Sequence, residues 1–314
     1  MDFVCPLCKG ELQGDGVTRY TCGACQRIYP VVCEIPDFRI APDPYIGIQE
    51  DLQKGRQLAE AARTRSFAQM VDYYYSITPE DPPDLAAGWA AHALAAPKIA
   101  ASILGTKTGK TLLDVGCATG GMLVAASRTF PSVTGVDVAF RWLVVAQVRL
   151  REAGVNAALV CANAEALPFR DNAADWITCT DVVEHLRDLS SAAAEFRRTA
   201  ERLLCVTNNR YAWVLDPQVG LFGVGYLPRK WQPGYVTWRR ADLHRYNVTM
   251  RSATELNAVL RRAGYSNLKV SAAKLYAPHR PALASVLNAY NKLAPMFDPL
   301  LRRISPKLEV IAES

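Results

Sequence analysis

The chain has 314 residues, half of them apolar, with 21% charged side chains and a formal net charge of +6. This composition supports a packed core and excludes a fully disordered chain, and no run of 18 uncharged apolar residues is present to form a transmembrane helix. Met1-Asp2-Phe3-Val4-Cys5 has neither the basic nor the apolar region of a secretory signal. Four of the nine Cys fall in the first 25 residues, so a reducing, cytoplasmic compartment and a metal site are expected, not a disulfide framework.

Cys5-Pro6-Leu7-Cys8 and Cys22-Gly23-Ala24-Cys25 are two C-x-x-C knuckles separated by 13 residues. Each knuckle can aim two thiolates at one point, and four thiolates complete a closed tetrahedral site suited to structural Zn²⁺. Glu11-Leu12 and Thr18-Arg19-Tyr20-Thr21, split by Gly14-Asp15-Gly16, predict a β-hairpin between them. Four buried or redox-active thiols are the plainer alternative. The stretch from Cys5 to Arg39, with Tyr29-Pro30-Val31-Val32 and Ile35-Pro36-Asp37-Phe38-Arg39, resembles the zinc ribbon that precedes many bacterial methyltransferases. Cys33-Glu34 stands where that ribbon usually has Asp-Gly, a change confined to a turn.

Ala41-Pro42-Asp43-Pro44 marks a linker. Residues 50–75 predict a helix ending in Tyr73-Tyr74-Tyr75, and residues 86–104 a second one despite Pro97. Zinc ribbon over 1–40, helical linker and cap over 41–108, and a catalytic domain over 109–314 are the expected units.

Thr111-Leu112-Leu113-Asp114-Val115-Gly116-Cys117-Ala118-Thr119-Gly120-Gly121 is an apolar strand running into a glycine-rich turn, with a helix expected over 121–129. Glycines let the backbone approach a ligand, and the helix N-terminus offers oriented N–H groups. Val133-Thr134-Gly135-Val136-Asp137 is a second strand ending in an acid 21 residues after Gly116, the place from which an acid bonds ribose hydroxyls in doubly wound folds. The turn lacks the lysine of a P-loop and the second glycine of a dinucleotide fingerprint.

Asp114-x-Gly116-x-x-x-Gly120 instead resembles motif I of the Rossmann-like class I methyltransferases, which bind S-adenosylmethionine. The resemblance implies an α/β, doubly wound, seven-stranded sheet with the last strand antiparallel, carrying a small N-terminal zinc ribbon and helical additions. It implies a cofactor site built from Asp114, Gly116, Cys117, Gly120, Asp137, Val138, Asn163, Ala164, Glu165, Thr180 and Asp181. Asn163 would face adenine where relatives often have Asp. Ala118 stands where relatives commonly have Gly, a mild change if the local backbone avoids φ > 0. Glu201 to Thr207 runs into the fifth strand without the usual Pro-Gly-Gly turn.

Asp181-Val182-Val183-Glu184-His185-Leu186 resembles the segment beside the transferable methyl. A hydroxyl nucleophile benefits from a general base, so His185 is the first candidate and His244 the second, with Glu184 or Asp181 orienting His185. A purely structural His185 is the competing reading. Insertions at about 208–250 and 277–305 fall on the substrate side. The first is rich in Gly and aromatics and includes Arg229, Lys230, Arg239 and Arg240; the second is basic and amphipathic. Residues 211–314 carry 15 basic and 6 acidic side chains. That field suits a small-molecule acceptor with anionic or lipid-like character, and peripheral membrane contact. The expected reaction is methyl transfer to a hydroxyl of a natural product, sugar or lipid-linked intermediate. The alternatives are an rRNA or tRNA methyltransferase and a non-catalytic cofactor-binding or partner-activating protein.

Overall fold

The computed structural model describes residues 2–79, 81–240, 246–277 and 281–313. The N-terminal module is an antiparallel meander of β1 (Leu12–Gly14), β2 (Arg19–Cys22), β3 (Ile28–Val32) and β4 (Ile35–Pro36). Three helices follow: α1 (Ile48–Ala61), α2 (Phe67–Ser76) and α3 (Pro83–Leu104). The single helix expected over 50–75 is two, because Ser66 starts a new one. Its side chain accepts from the Gln69 N–H while the Gln69 side chain accepts from the Ser66 N–H, a reciprocal cap. Helix α3 runs through Pro97. The carbonyl of Ala93, which Pro97 cannot serve, accepts instead from the Arg149 guanidinium.

The main domain continues with β5 (Thr111–Val115), α4 (Gly121–Ala126), β6 (Ser132–Asp137), α5 (Phe140–Ala153), β7 (Ala158–Cys161), β8 (Ala174–Thr180), α6 (Leu189–Thr199) and β9 (Ala200–Asn208). After these come α7 (Gln232–Arg239), α8 (Ala253–Arg262), β10 (Asn267–Ala272), α9 (Ala284–Leu293), α10 (Asp298–Ile304) and β11 (Lys307–Glu313). The seven strands lie in the order β10-β11-β9-β8-β5-β6-β7. Strands β5 to β9 pair in parallel, and β11 is antiparallel to both β9 and β10. Helix α6 passes straight into β9, so the connection there has no room for a Pro-Gly-Gly turn.

Alternation along the strands sends side chains to two cores. Leu112, Val133, Leu159, Trp176 and Leu204 pack with α1 to α5 on one face. Leu113, Val136, Val160, Ile177 and Leu203 pack with α6, α8 and the N-terminal module on the other. The ribbon closes an edge of the sheet: Asp37 bridges Cys161 of β7 in parallel, and the Phe38 N–H donates to the Cys161 carbonyl at 2.7 Å. An otherwise open strand edge is thereby paired. Phe3, Tyr20, Tyr29 and Phe38 pack in edge-to-face and tilted pairs around this joint, and Lys9 ties it to Glu195 at 2.7 Å.

Candidate active site

Sulfur atoms of Cys5, Cys8, Cys22 and Cys25 all lie within 4.8 Å of one another. The Cys5–Cys25 and Cys8–Cys22 separations are 3.6 and 3.4 Å. A tetrahedron with metal–sulfur bonds of about 2.3 Å has edges of roughly 3.8 Å, so the donor set and its size fit Zn²⁺. Gly10 is required there, because a Cβ would lie 2.9 Å from Ala24 Cβ and 3.2 Å from Cys22 Sγ. Four thiolates leave no open position, which makes the site structural.

The order of the parallel strands reverses between β5 and β8, and the crevice beyond their carboxyl ends is where doubly wound sheets bind ligands. Gly116 opens the turn after β5 at φ +78°, and a Cβ there would strike Val182 Cγ2 at 2.0 Å. The segment after β8 therefore lies directly on the turn. Asp137, at the end of β6, is fixed by two backbone donors: Ala118 N–H to Oδ2 at 2.7 Å and Ala139 N–H to Oδ1 at 2.8 Å. Burial raises its carboxyl to about 6, against the lowering effect of those two N–H groups. Asp114 is buried beneath, where loss of solvent pushes it up to about 7 while its bond from Thr178 Oγ1 at 2.8 Å opposes the rise. Thr180 Oγ1, at the end of β8, is buried without a hydrogen-bond partner.

Gly116, Asp137, Thr180 and Asp181 all lie at the carboxyl ends of β5, β6 and β8, whereas Gly120 caps α4 with its Cα facing Ala146 and Leu150 of α5. Others in the expected set have different placements. Cys117 is buried, its sulfur would lie 2.7 Å from a Cβ on Gly135, its N–H donates to the Val136 carbonyl at 3.0 Å and its carbonyl accepts from Gly120 N at 2.8 Å. The Val138 carbonyl accepts from Arg39 at 3.2 Å. Ala164 is 8% exposed and packs in the ribbon-side core. The Asn163 amide is engaged by the chain entering from the ribbon: Oδ1 accepts from Ile40 N and Ala41 N, and Nδ2 donates to the Ala41 carbonyl. Glu165 accepts from the Arg187 N–H at 3.0 Å and fixes the segment after His185. Ala118 does not avoid positive φ; it sits at +42°, where a Cβ is strained.

His185 is bonded through both ring nitrogens, Nδ1 to Tyr45 Oη at 2.7 Å and Nε2 to Gln218 Nε2 at 3.3 Å. An amide nitrogen only donates, so the Nε2 lone pair is taken. Glu184 turns away from His185. It accepts from Thr207 Oγ1 at 2.8 Å and Asn208 Nδ2 at 2.5 Å and is 1% exposed, so it anchors β9 instead of orienting the imidazole. His244 lies outside the described residues. Arg229 pairs with Glu255 at 2.5 Å and Arg240 with Asp84 at 3.1 Å, which gives both structural work.

Two features carried no signal in the sequence. Asp51 of α1 is fully buried, accepts from Arg39 and Arg141, and receives the Phe140 and Arg141 N–H groups at the start of α5. Asp37 and Asp43 complete the network, which braces the turn after Asp137. Lys307, the first residue of β11, meets Asp181 Oδ2 at 2.5 Å. A cavity of about 160 Å³ opens beside it, between the end of β9 and the 212–226 loop.

A family model described as "Methyltransferase domain" matches residues 113–202. The ubiquinone biosynthesis O-methyltransferase of Idiomarina loihiensis is 31% identical over 127 residues, 38% of this chain and 52% of that protein. The protein of the same name from Pseudomonas fluorescens Pf0-1 is 39% identical over 84 residues, 26% of this chain and 36% of its own length. The chain therefore spans about half the length, or less, of these curated relatives. A SAM-dependent methyltransferase of Thermotoga maritima superposes with a TM-score of 0.46 at 16% identity, covering 79% of this chain and 97% of that one. The matched segment, residues 113–202, is thus similar to a methyltransferase domain, and it holds the glycine turn, Asp137 and the strands β6, β7 and β8.

Proposed function

We propose that this protein transfers a methyl group from S-adenosylmethionine to a hydroxyl of a small-molecule acceptor with an anionic or lipid-like part. The observation that carries the reading is the Asp137 carboxylate, held by the Ala118 N–H beside the Gly116–Gly120 turn, where it can accept from two ribose hydroxyls. The donor set fits the cofactor: the turn admits close approach, and Thr180 Oγ1 is a buried polar atom still lacking a partner. When bound, the cofactor supplies an electrophilic sulfonium methyl. The protein's part is to align the nucleophile and exclude water. Val182 covers the glycine turn, and the Tyr45–His185–Gln218 chain clasps the linker and the 208–231 loop across the site.

The relatives' name, ubiquinone biosynthesis O-methyltransferase, supports an oxygen on a small molecule. Trp213, Leu215, Phe222, Trp231 and Trp238, each more than half exposed, support an acceptor with an apolar part on the surface of the 208–240 region. No described helix is long and apolar enough to cross a membrane. The deciding experiment compares metabolite extracts of deletion and wild-type strains for a 14 Da difference, alongside labelled methyl incorporation by the purified protein. Incorporation into rRNA or tRNA, and into no metabolite extract, overturns the small-molecule acceptor.

A further inference from the structure

We infer that Arg210, Arg229 and Arg251, beside the end of β9, form a binding site for the phosphate group of a small phosphorylated molecule. The site stands on geometry and charge alone. Only its use, to hold the anionic part of the acceptor, rests on the methyl-transfer reading.

The three arginines meet where the chain leaving β9 runs beside the start of α8. Asn209 and Arg251 form a parallel bridge, and the Arg210 N–H donates to the Arg251 carbonyl at 3.0 Å. Arg229 reaches the same corner, donating to the Met250 carbonyl at 3.3 Å. One carboxylate, Glu255, stands among them. Its Oε2 is spent on the cap of α8, accepting from Ser252 N at 2.8 Å and Ser252 Oγ at 3.1 Å. Its Oε1 faces Arg229 at 2.5 Å and Arg210 at 3.7 Å. A carboxylate has about four acceptor positions, so none is left for Arg251. The Arg251 guanidinium accordingly has no hydrogen bond or ion pair among the described residues, and its Nε is buried. Asp188, the other acid whose field reaches it, is held by Ser190 N and Ser191 Oγ at its own helix start. Burial and the charges of Arg229 and Arg210 lower the Arg251 pKa, against the opposing pull of Glu255 and Asp188.

A partly buried cation beside two others, with no acceptor of its own, costs free energy that a bound anion offsets. Three guanidiniums against Glu255 leave an excess of two positive charges. A phosphate monoester carries about −1.5 to −2 at pH 7 and presents three terminal oxygens, which guanidinium forks match. A phosphodiester has one charge and two terminal oxygens. A nucleic acid strand repeats that group along its length, whereas these arginines share one corner. The Arg210 and Arg229 side chains remain 15% and 39% exposed, so an anion can reach them from solvent. Arg210 and Met250 also line the cleft of about 160 Å³ beside β9, so the organic part of the ligand has space next to its phosphate.

The test uses the full-length zinc-loaded protein at fixed ionic strength, with calorimetry and thermal melting started in phosphate-free buffer. Inorganic phosphate and glycerol 3-phosphate should each bind and raise the melting temperature by several degrees at about 100 times Kd. Dimethyl phosphate and a short RNA without a terminal phosphate should bind at least about tenfold more weakly. Arg251→Gln should weaken binding of both monoanion-to-dianion probes by about 10- to 150-fold. Its melting temperature without ligand should stay level or rise, because an unpaired cation has gone. A merely structural Arg251 would lower that temperature and leave phosphate affinity unchanged. Arg262→Gln makes the same charge change at the exposed far end of α8 and should alter phosphate affinity by less than about twofold. Absent phosphate binding, unchanged affinity in Arg251→Gln, or an equal loss in Arg262→Gln each overturns the site. Binding of inorganic phosphate without glycerol 3-phosphate means a free ion only, and RNA binding tighter than glycerol 3-phosphate means a polymer; either overturns the small phosphorylated ligand. Calorimetry with S-adenosylmethionine separates the two readings. Cofactor binding without phosphate binding defeats the phosphate site alone. Phosphate binding in a protein that binds no cofactor keeps the site and defeats methyl transfer.

Discussion

Asp51 and Arg141 are 90 residues apart in the chain, yet their side chains meet at 2.9 Å inside the protein, with Asp51 fully buried. The same carboxylate also accepts from Arg39 at 2.6 Å and from the first N–H groups of α5. One residue of the cap helix thus joins the ribbon's exit to the helix that follows Asp137. Breaking a buried pair by removing one partner strands the other charge. Asp51→Asn should destabilise the protein by about 3–5 kcal/mol, seen as a Tm drop of roughly 6–20 °C. An unchanged melting curve would mean the network is not held in solution.

The ribbon's β3–β4 connection is a two-residue turn with Val32 paired to Ile35 and both central residues, Cys33 and Glu34, at positive φ, +49° and +65°. Such turns favour Asn-Gly or Asp-Gly, and each other residue there costs about 1 kcal/mol. The double change Cys33→Asn, Glu34→Gly should raise stability by about 1–2 kcal/mol with zinc content unaltered. Denaturant unfolding measures it, and a lower midpoint would show the turn to be constrained by something other than backbone sterics.

Cofactor affinity should depend on pH through Asp137, whose carboxyl is raised by burial to about 6. On the proposed role, in which Asp137 accepts from ribose hydroxyls, binding needs its ionised form, so affinity should be constant above about pH 7 and fall up to tenfold per unit below about 6. The sign for stability is opposite. Asp137 and Asp114 bind protons more tightly folded than unfolded, so their contribution grows as pH falls from about 7 toward 4. Calorimetric titrations at several pH values, with Asp137→Ala as control, give the affinity profile. A flat profile in the unsubstituted protein removes Asp137 from the site.

Purified protein should contain one zinc ion per chain, and Cys22→Ser should lose it. Because Asp37 and Phe38 pair with β7, the loss should spread beyond the ribbon. Hydrogen exchange at Val160 and Cys161 should accelerate in the variant. Full protection of β7 there would mean that the ribbon and the sheet are held independently.

The local spacing of residues sufficed for the two C-x-x-C knuckles, the glycine turn and Asp137, because each is one short segment whose backbone creates its own geometry. The buried parallel strands were equally legible, since strands covered on both faces read as apolar runs such as Thr111 to Val115. The split between α1 and α2 was also available, in the Ser66 and Gln69 pair that caps the second helix. What only the tertiary structure decided is which distant side chains meet and which way they point. Glu184 faces β9, Asn163 holds the linker, and Lys307 reaches Asp181 across 126 positions. Nothing in a linear sequence fixes such pairings. They follow from the strand order that sets β11 against β9, and from burial, which leaves each polar group to find its partner wherever packing has brought one.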